Sequence, residues 1–159
     1  METFPPCSRD TLPVAPSPLT KTEPLPINFC CSIADFEKIS QGAYVDGVWG
    51  MFVENDTLYM VRSRTGFTVY EIPFVRENDV VKPANAVVNR DPQQYKEDDI
   101  AYDAALAAFI IAVIMLQRDE AFPLHERVAK SNPPPKVVLM IQGRSAGTCV
   151  EKYYSWPKK

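Results

Sequence analysis

The sequence has few of the residues on which metal and catalytic sites depend. It contains one histidine, His125, and four cysteines that include no Cys-x-x-Cys pair, so a zinc site with ordinary ligand spacing is not expected. No Ser-His-acid or Cys-His arrangement is evident, and neither a Gly-x-Gly-x-x-Gly fingerprint nor a P-loop occurs. We therefore predict no metal and no cofactor, and whether the protein is an enzyme stays open.

Signals for export or membrane insertion are also missing. The N-terminus has no basic region followed by an apolar run, which a secretory signal needs. An apolar run of thirteen residues at 104–116 is shorter than the roughly twenty that a membrane-spanning helix requires. The cysteines then indicate reduced thiols in a soluble, cytoplasmic protein, with a Cys30–Cys149 disulfide as the open alternative.

The charge and composition are those of a soluble globular protein. The formal net charge is −3 and the pI is near 5.2, which gives no reason to expect a nucleic acid or a membrane surface as partner. Hydrophobic residues make up 46% of the 159 residues, and this length is typical of one domain with a sizeable core.

Proline is the residue type in excess, and the excess lies mostly at the N-terminus. Seven of the fifteen prolines fall between Pro5 and Pro26, in a segment without hydrophobic periodicity. We predict a flexible or polyproline-like tail at 1–27, followed by a single domain at 28–159. The stretch "PVAPSP" contains a PxxP spacing, which makes a protein partner with an SH3-type groove a candidate for this tail.

Strand-like runs dominate the first part of the domain, and an apolar helix follows them. A short helix is predicted at 32–40, where Ser32 can cap apolar residues that recur three apart. A second helix is predicted at 97–120, where acidic residues precede the apolar run. The predicted strands lie at 48–55, 57–63, 67–74, 86–88, 136–143 and 148–156. The fold class is therefore α+β, with an antiparallel sheet of about five or six strands packed on one long buried helix.

Two stretches in order, "RSRTGFTVY" at 62–70 and "VNRDPQQY" at 88–95, resemble a family of small uncharacterised proteins. The family patterns are R-S-W-T-G-x-x-I-Y and V-N-R-D-P-x-Q-Y, and the second precedes an apolar helix, as it does in this chain. Arg64 departs from the pattern, because it stands where the family has tryptophan. Relatives are sometimes associated with ADP-ribose-processing proteins, so the resemblance implies an ADP-ribose-like ligand and assigns no activity.

The first stretch also has the chemistry of an anion-binding turn. Arginine offers two parallel donors to phosphate or carboxylate, hydroxyls add further donors, and glycine lets backbone N–H groups approach a ligand. The other interpretation is a polar turn whose arginines pair with local acids such as Glu54 or Glu71. The candidate ligand-binding residues are Arg62, Ser63, Arg64, Thr65 and Gly66, together with Asn89 and Arg90 of the second stretch.

Two carboxylates at the start of the apolar helix are the candidate catalytic residues. Asp99 and Asp103 are four residues apart, so they share a helix face one turn apart. On that face one of them can act as a base with a raised pKa, or both can hold a cation. The competing hypothesis is a structural network in which these acids pair with Arg62 and Arg90.

The function predicted from these observations is a soluble binding or interaction module for a phosphate-bearing, ADP-ribose-like ligand. The alternative is a hydrolase that acts on an ADP-ribose or related nucleotide-sugar linkage, with Asp99 or Asp103 as acid/base. The expected partners are a phosphate-bearing small molecule and a protein that binds the proline-rich tail, with no nucleic acid and no membrane.

Overall fold

A computed structural model describes residues 4–118, and within them the chain forms one antiparallel sheet with two helices. The α+β class is therefore as predicted. A turn of 3-10 helix, Arg9–Thr11, precedes the first strand. The strands are β1 Thr22–Pro24, β2 Cys31–Ser32, β3 Ala43–Val45, β4 Trp49–Glu54, β5 Thr57–Arg62, β6 Thr68–Glu77, β7 Val80–Pro83 and β8 Val87–Asn89; the helices are α1 Ile33–Ser40 and α2 Ile100–Ile110.

The ten-residue strand β6 organises the sheet because it pairs along both halves of its length. Its first half lies between β5 and β8, and its second half pairs with β7, which in turn pairs with β2. The strand order across the main sheet is β1-β8-β6-β5-β4-β3. Since sequential neighbours β3 to β6 are adjacent, the centre of the sheet is a meander.

The predicted count of five or six strands is wrong, because the described residues already contain eight. The strands missing from the prediction are β1, β2, β3 and β7. Each has two to four residues, which is too short to display a recognisable alternation of apolar and polar positions. The strands predicted at 136–143 and 148–156 lie outside the described residues, as do His125 and Cys149.

The apolar helix is also shorter than the predicted 97–120. It begins after Asp99, whose side chain accepts a hydrogen bond from the Tyr102 backbone N–H, and α2 has 11 residues. Five residues of π-helix, Ile111–Met115, continue it. Gln117 then has a φ of 58°, a left-handed backbone conformation that a right-handed helix does not contain. Helix α1 begins as predicted, with the Ser32 hydroxyl accepting from the Asp35 N–H at 3.1 Å.

The main core lies between the sheet and the helices. Alternate residues of the central strands, among them Trp49, Met51 and Met60, are buried on this helix-side face with the apolar residues of α2 and the π-helix. No helix in the described part of the chain is long and apolar enough to cross a membrane.

The opposite, outer face of the sheet is covered by the N-terminal segment. We call residues 5–18 the N-terminal strap. Cys7 of the strap packs with Phe52 and Val61 in a small second core, and Leu25, just beyond it, is buried in the main core. Residues 4–27 of the segment predicted to be a flexible tail therefore include contacts with the sheet and the main core. Its apolar residues are too few and too irregularly spaced to predict this from the sequence.

Candidate binding site at the Arg62–Gly66 turn

The stretch 62–66 is the turn of the hairpin that joins β5 to β6. The Arg62 N–H donates to the Phe67 carbonyl at 2.9 Å, and the Gly66 N–H donates to the Arg62 carbonyl at 2.8 Å. Gly66 has a φ of +78°, which L-residues with a side chain rarely adopt. The Thr65 hydroxyl accepts from the Phe67 N–H at 3.2 Å. Thr65 and Gly66 thus shape the turn itself.

The side chain of Arg62 lies on the helix-side face. Its guanidinium carbon is 4.2 Å from the centre of the Trp49 ring, a cation–π contact. Burial lowers the pKa of the Arg62 guanidinium. The nearby Tyr95, Tyr70 and Tyr102 act in the opposite direction and raise it. Within residues 4–118 this guanidinium has no carboxylate partner. Among the described residues, the contact that offsets its burial is the one with the Trp49 ring.

Asp103 is the centre of a separate, satisfied network on the same face. The carboxylate is fully buried, and it accepts hydrogen bonds from the Tyr70 and Tyr95 hydroxyls at one oxygen and from Arg90 at the other, at 2.6 Å. Burial raises the pKa of both phenols, so they are neutral donors at neutral pH. Arg90 also contacts Glu23 at 2.7 Å. The expected Arg90–Asp103 pair is therefore present, and Arg62 is outside it.

Asp99 and Asn89 have structural contacts as well. Asp99 caps α2 through the Tyr102 N–H. The buried Asn89 amide donates to the Thr68 carbonyl at 2.8 Å and to Gln94 at 2.9 Å, while its oxygen accepts from the Asp91 N–H at 2.8 Å. Asn89 thus braces the turn after β8, and a catalytic role for Asp99 or Asp103 stays a prediction.

Ser63 and Arg64 line a pocket on the outer side of the turn, with a volume of about 350 Å³. The Ser63 hydroxyl is buried and has no hydrogen-bond partner within residues 4–118. The Arg64 guanidinium lies over Gly47, where an added Cβ would come within 3.1 Å of Nη2. Arg64 is exposed and has no ion pair among the described residues. The remaining walls are Pro13, Val14, Tyr44 and Asp46.

The arginines of the turn do not pair with Glu54 or Glu71, the acids named for a purely structural polar turn. Glu54 pairs instead with Arg9 of the strap at 2.8 Å. Glu71 has no ion pair within the described range, and burial raises the pKa of its carboxyl. The hydrogen-bonding capacity of Arg62, Ser63 and Arg64 is therefore not used by these acids.

Sequence reasoning missed the residues that come to the pocket from elsewhere. Tyr44 lies in β3 and Asp46 begins the turn before β4. The Tyr44 hydroxyl donates to Asp46 at 3.4 Å. Pro13 and Val14 come from the strap, at least thirty positions earlier in the chain than Tyr44. The Asp46–Gly47 pair is a turn signal in the sequence, but nothing there indicates that it faces Arg64.

Among residues 4–118, no three His, Cys, Asp or Glu side chains are grouped so that they could hold a metal ion. Comparison with protein-family models, with curated proteins and with solved structures gives no match. The resemblance of the two stretches to a family associated with ADP-ribose processing therefore stays a prediction.

Proposed function

We propose that this protein is a binding module for a sugar-phosphate ligand of the ADP-ribose type, and that the ligand occupies the pocket beside the Arg62–Gly66 turn. The observation that carries the proposal is the exposed Arg64 guanidinium at that pocket, directly next to a buried Ser63 hydroxyl. Among the described residues, the Ser63 hydroxyl is buried without a hydrogen-bond partner, and the neighbouring Arg64 guanidinium has no carboxylate partner.

An unused buried hydroxyl is costly. Leaving a buried polar group unsatisfied costs about 1–3 kcal/mol, and a phosphate oxygen bound there would remove this cost. Arginine is well suited to the same ligand group because its planar fork donates two parallel hydrogen bonds to phosphate. Ser63 and Arg64 are adjacent and line one pocket, so a single phosphate group is the natural acceptor for both.

The second charge in the pocket favours a sugar phosphate over inorganic phosphate. Asp46 is acidic and lines the same cavity, so it would repel a bare anion that filled the space. A carboxylate accepts hydrogen bonds from ribose hydroxyls in dinucleotide-binding proteins. A ligand with phosphate at Arg64 and hydroxyls at Asp46 would match both charges. The volume of about 350 Å³ is at the lower end of ligand pockets.

The hydrolase alternative has less support. Neither Asp99 nor Asp103 lines this pocket. Both oxygens of Asp103 already accept hydrogen bonds, and Asp99 is committed to the start of α2. We therefore propose binding without catalysis, and the phosphate-recognising residues are Ser63 and Arg64.

Calorimetric titration with ADP-ribose, with ribose 5-phosphate and with inorganic phosphate tests the proposal. Wild-type protein is expected to bind ADP-ribose and ribose 5-phosphate more tightly than inorganic phosphate. Arg64→Ala and Ser63→Ala are expected to weaken the binding of both sugar phosphates. Asp46→Asn is expected to weaken their binding and to reduce the preference for sugar phosphate over inorganic phosphate.

The matched control is Arg76→Ala. Arg76 is exposed and lies outside the pocket, so this variant removes the same charge from the chain without touching the pocket. If neither sugar phosphate binds, or if Arg64→Ala and Arg76→Ala weaken the binding equally, the pocket has no such ligand.

A further inference from the structure

The pocket has a wall that does not belong to the sheet. Pro13 and Val14 line it, and both are in the N-terminal strap. The other lining residues come from β3, β5 or the turns next to them. The pocket is therefore complete only while the strap lies on the outer face.

The strap is anchored next to the pocket by the same hairpin turn that carries Ser63 and Arg64. The Ser17 N–H donates to the Gly66 carbonyl at 2.7 Å, and the Ser17 carbonyl accepts from the Thr68 hydroxyl at 2.7 Å. An added Cβ at Gly66 would lie 2.5 Å from the Ala15 carbonyl oxygen. The absence of a side chain at Gly66 thus allows the strap to reach the turn.

The rest of the strap is held by contacts that are individually modest. Arg9 pairs with Glu54 at 2.8 Å and lies over the Phe52 ring at 5.0 Å. Leu12 fills the space above Gly50, where an added Cβ would come within 2.1 Å of a Leu12 methyl carbon. Exposed ion pairs contribute roughly 0–1 kcal/mol each. Few apolar residues are buried, so the strap has the features of a segment that can detach while the core stays folded.

We propose that binding of the sugar phosphate and docking of the strap are coupled, so that each stabilises the other. This inference rests on the proposed function, since it concerns regulation of the same pocket. A ligand that needs Pro13 and Val14 binds only the docked state, and linkage requires that it raises the docked population by the same factor. Anything that removes the strap from the sheet would release the ligand.

Cys7 provides a direct readout of strap detachment. Its thiol belongs to the strap and is buried against the sheet, and burial raises its pKa, so the docked state should react slowly with an alkylating reagent. Cys31 is buried in the main core, where burial raises its pKa to about 11, and it reports opening of the domain as a whole. Peptides separate Cys7 from the adjacent Cys30 and Cys31, and fragment ions within the shared peptide assign alkylation to Cys31 or to the exposed Cys30.

The test measures the rate of Cys7 alkylation in wild-type protein with and without ADP-ribose. At a ligand concentration one hundred times Kd, coupling slows Cys7 by up to about 100-fold when detachment limits the reaction. Cys31 is the internal control, because slowing of Cys7 without equal slowing of Cys31 assigns the protection to the strap. An unchanged Cys7 rate at saturating ligand would overturn the coupling.

A pair of variants tests the opposite direction. Gly50→Val pushes Leu12 off the sheet and should speed Cys7 alkylation, and the Kd for ADP-ribose should rise by the factor by which the docked population falls. Adding Leu12→Ala removes as many carbon atoms as the valine adds, and should restore both values toward wild type. If Gly50→Val also exposes Cys31, the whole domain has opened and the wild-type ligand measurement decides.

The two proposals fail in different ways. If ADP-ribose and ribose 5-phosphate do not bind wild-type protein in the calorimeter, the proposed function is wrong and the coupling falls with it. If they bind, and Gly50→Val speeds Cys7 alkylation without changing Kd, the pocket binds its ligand without the strap. In that case the proposed function stands and the coupling is wrong.

Discussion

The two faces of the sheet treat neighbouring residues of one hairpin differently. Arg62 lies on the helix-side face against Trp49, close to a network in which Asp103 satisfies two phenols and Arg90. One and two positions later, Ser63 and Arg64 line a pocket on the outer face, with no partner for the hydroxyl or the guanidinium among the described residues. The helix-side face therefore uses its polar groups for stability, whereas the outer face leaves donors for a ligand.

The largest expected effect is the loss of the carboxylate on the helix-side face. Asp103→Ala leaves the hydroxyls of Tyr70 and Tyr95 with only each other as partners, so one of the two O–H donors loses its acceptor, and Arg90 has one carboxylate fewer. Breaking such a buried network is expected to lower the free energy of unfolding by about 3–5 kcal/mol. Urea denaturation measures it. Asp98→Ala, at an exposed position in the same segment, should change stability by no more than about 0.5 kcal/mol, and equal losses in both variants would contradict this account.

A smaller loss is expected at Arg62, and its side-chain dependence is informative. Arg62→Ala removes a desolvated cation–π contact with Trp49 and should cost about 2 kcal/mol. Arg62→Met should cost less, since it keeps apolar contact with the ring and buries no charge. Thermal and urea unfolding of both variants measure the difference. A loss of about 3–5 kcal/mol in both variants would show that an acid partner of Arg62 exists.

Arg64→Ala sharpens the contrast with its neighbour. Because Arg64 is exposed and has no ion pair in the described part of the chain, stability should change by less than about 0.5 kcal/mol. The Kd for ADP-ribose should rise about tenfold or more, since a hydrogen bond to a charged group contributes about 1.5–3 kcal/mol. Calorimetry and urea unfolding on one preparation separate the two effects. Loss of stability without loss of binding would reverse the assignments of Arg62 and Arg64.

The smallest expected effect is a pH dependence on the outer face. Burial raises the pKa of Glu71 above its ordinary value of 4.5. Between the ordinary pKa and the raised pKa of the folded state, the folded protein binds more protons than the unfolded protein. This group therefore lowers stability as pH rises above about 4.5. Glu71→Gln should therefore raise the melting temperature at pH 7 and leave it unchanged well below pH 4.5. A melting temperature that is lower at pH 7 in Glu71→Gln would show that the charged carboxylate has a stabilising partner.

The parts of the fold that were predictable have strong local signals. Helix α1 followed from Ser32 and the spacing of Phe36 and Ile39, and the central strands followed from their β-branched and aromatic runs. The paired network was predictable in kind, since Arg90 and Asp103 were both candidates. Strands such as β1 were not, because three residues that include a proline acquire their pairing only from β8. The division of the Arg62–Gly66 turn between two faces was not predictable either.

By itself the sequence determined the α+β class, the hairpin at 62–66 and the cap at Ser32, since these depend on residues close together in the chain. Only the tertiary structure decided that Arg90, and not Arg62, pairs with Asp103, and that Pro13, Asp46 and Arg64 line one pocket. The reason is physical. Which buried charge obtains a partner, and which loop closes over another, depends on contacts between distant segments, and a local pattern contains no information about their geometry.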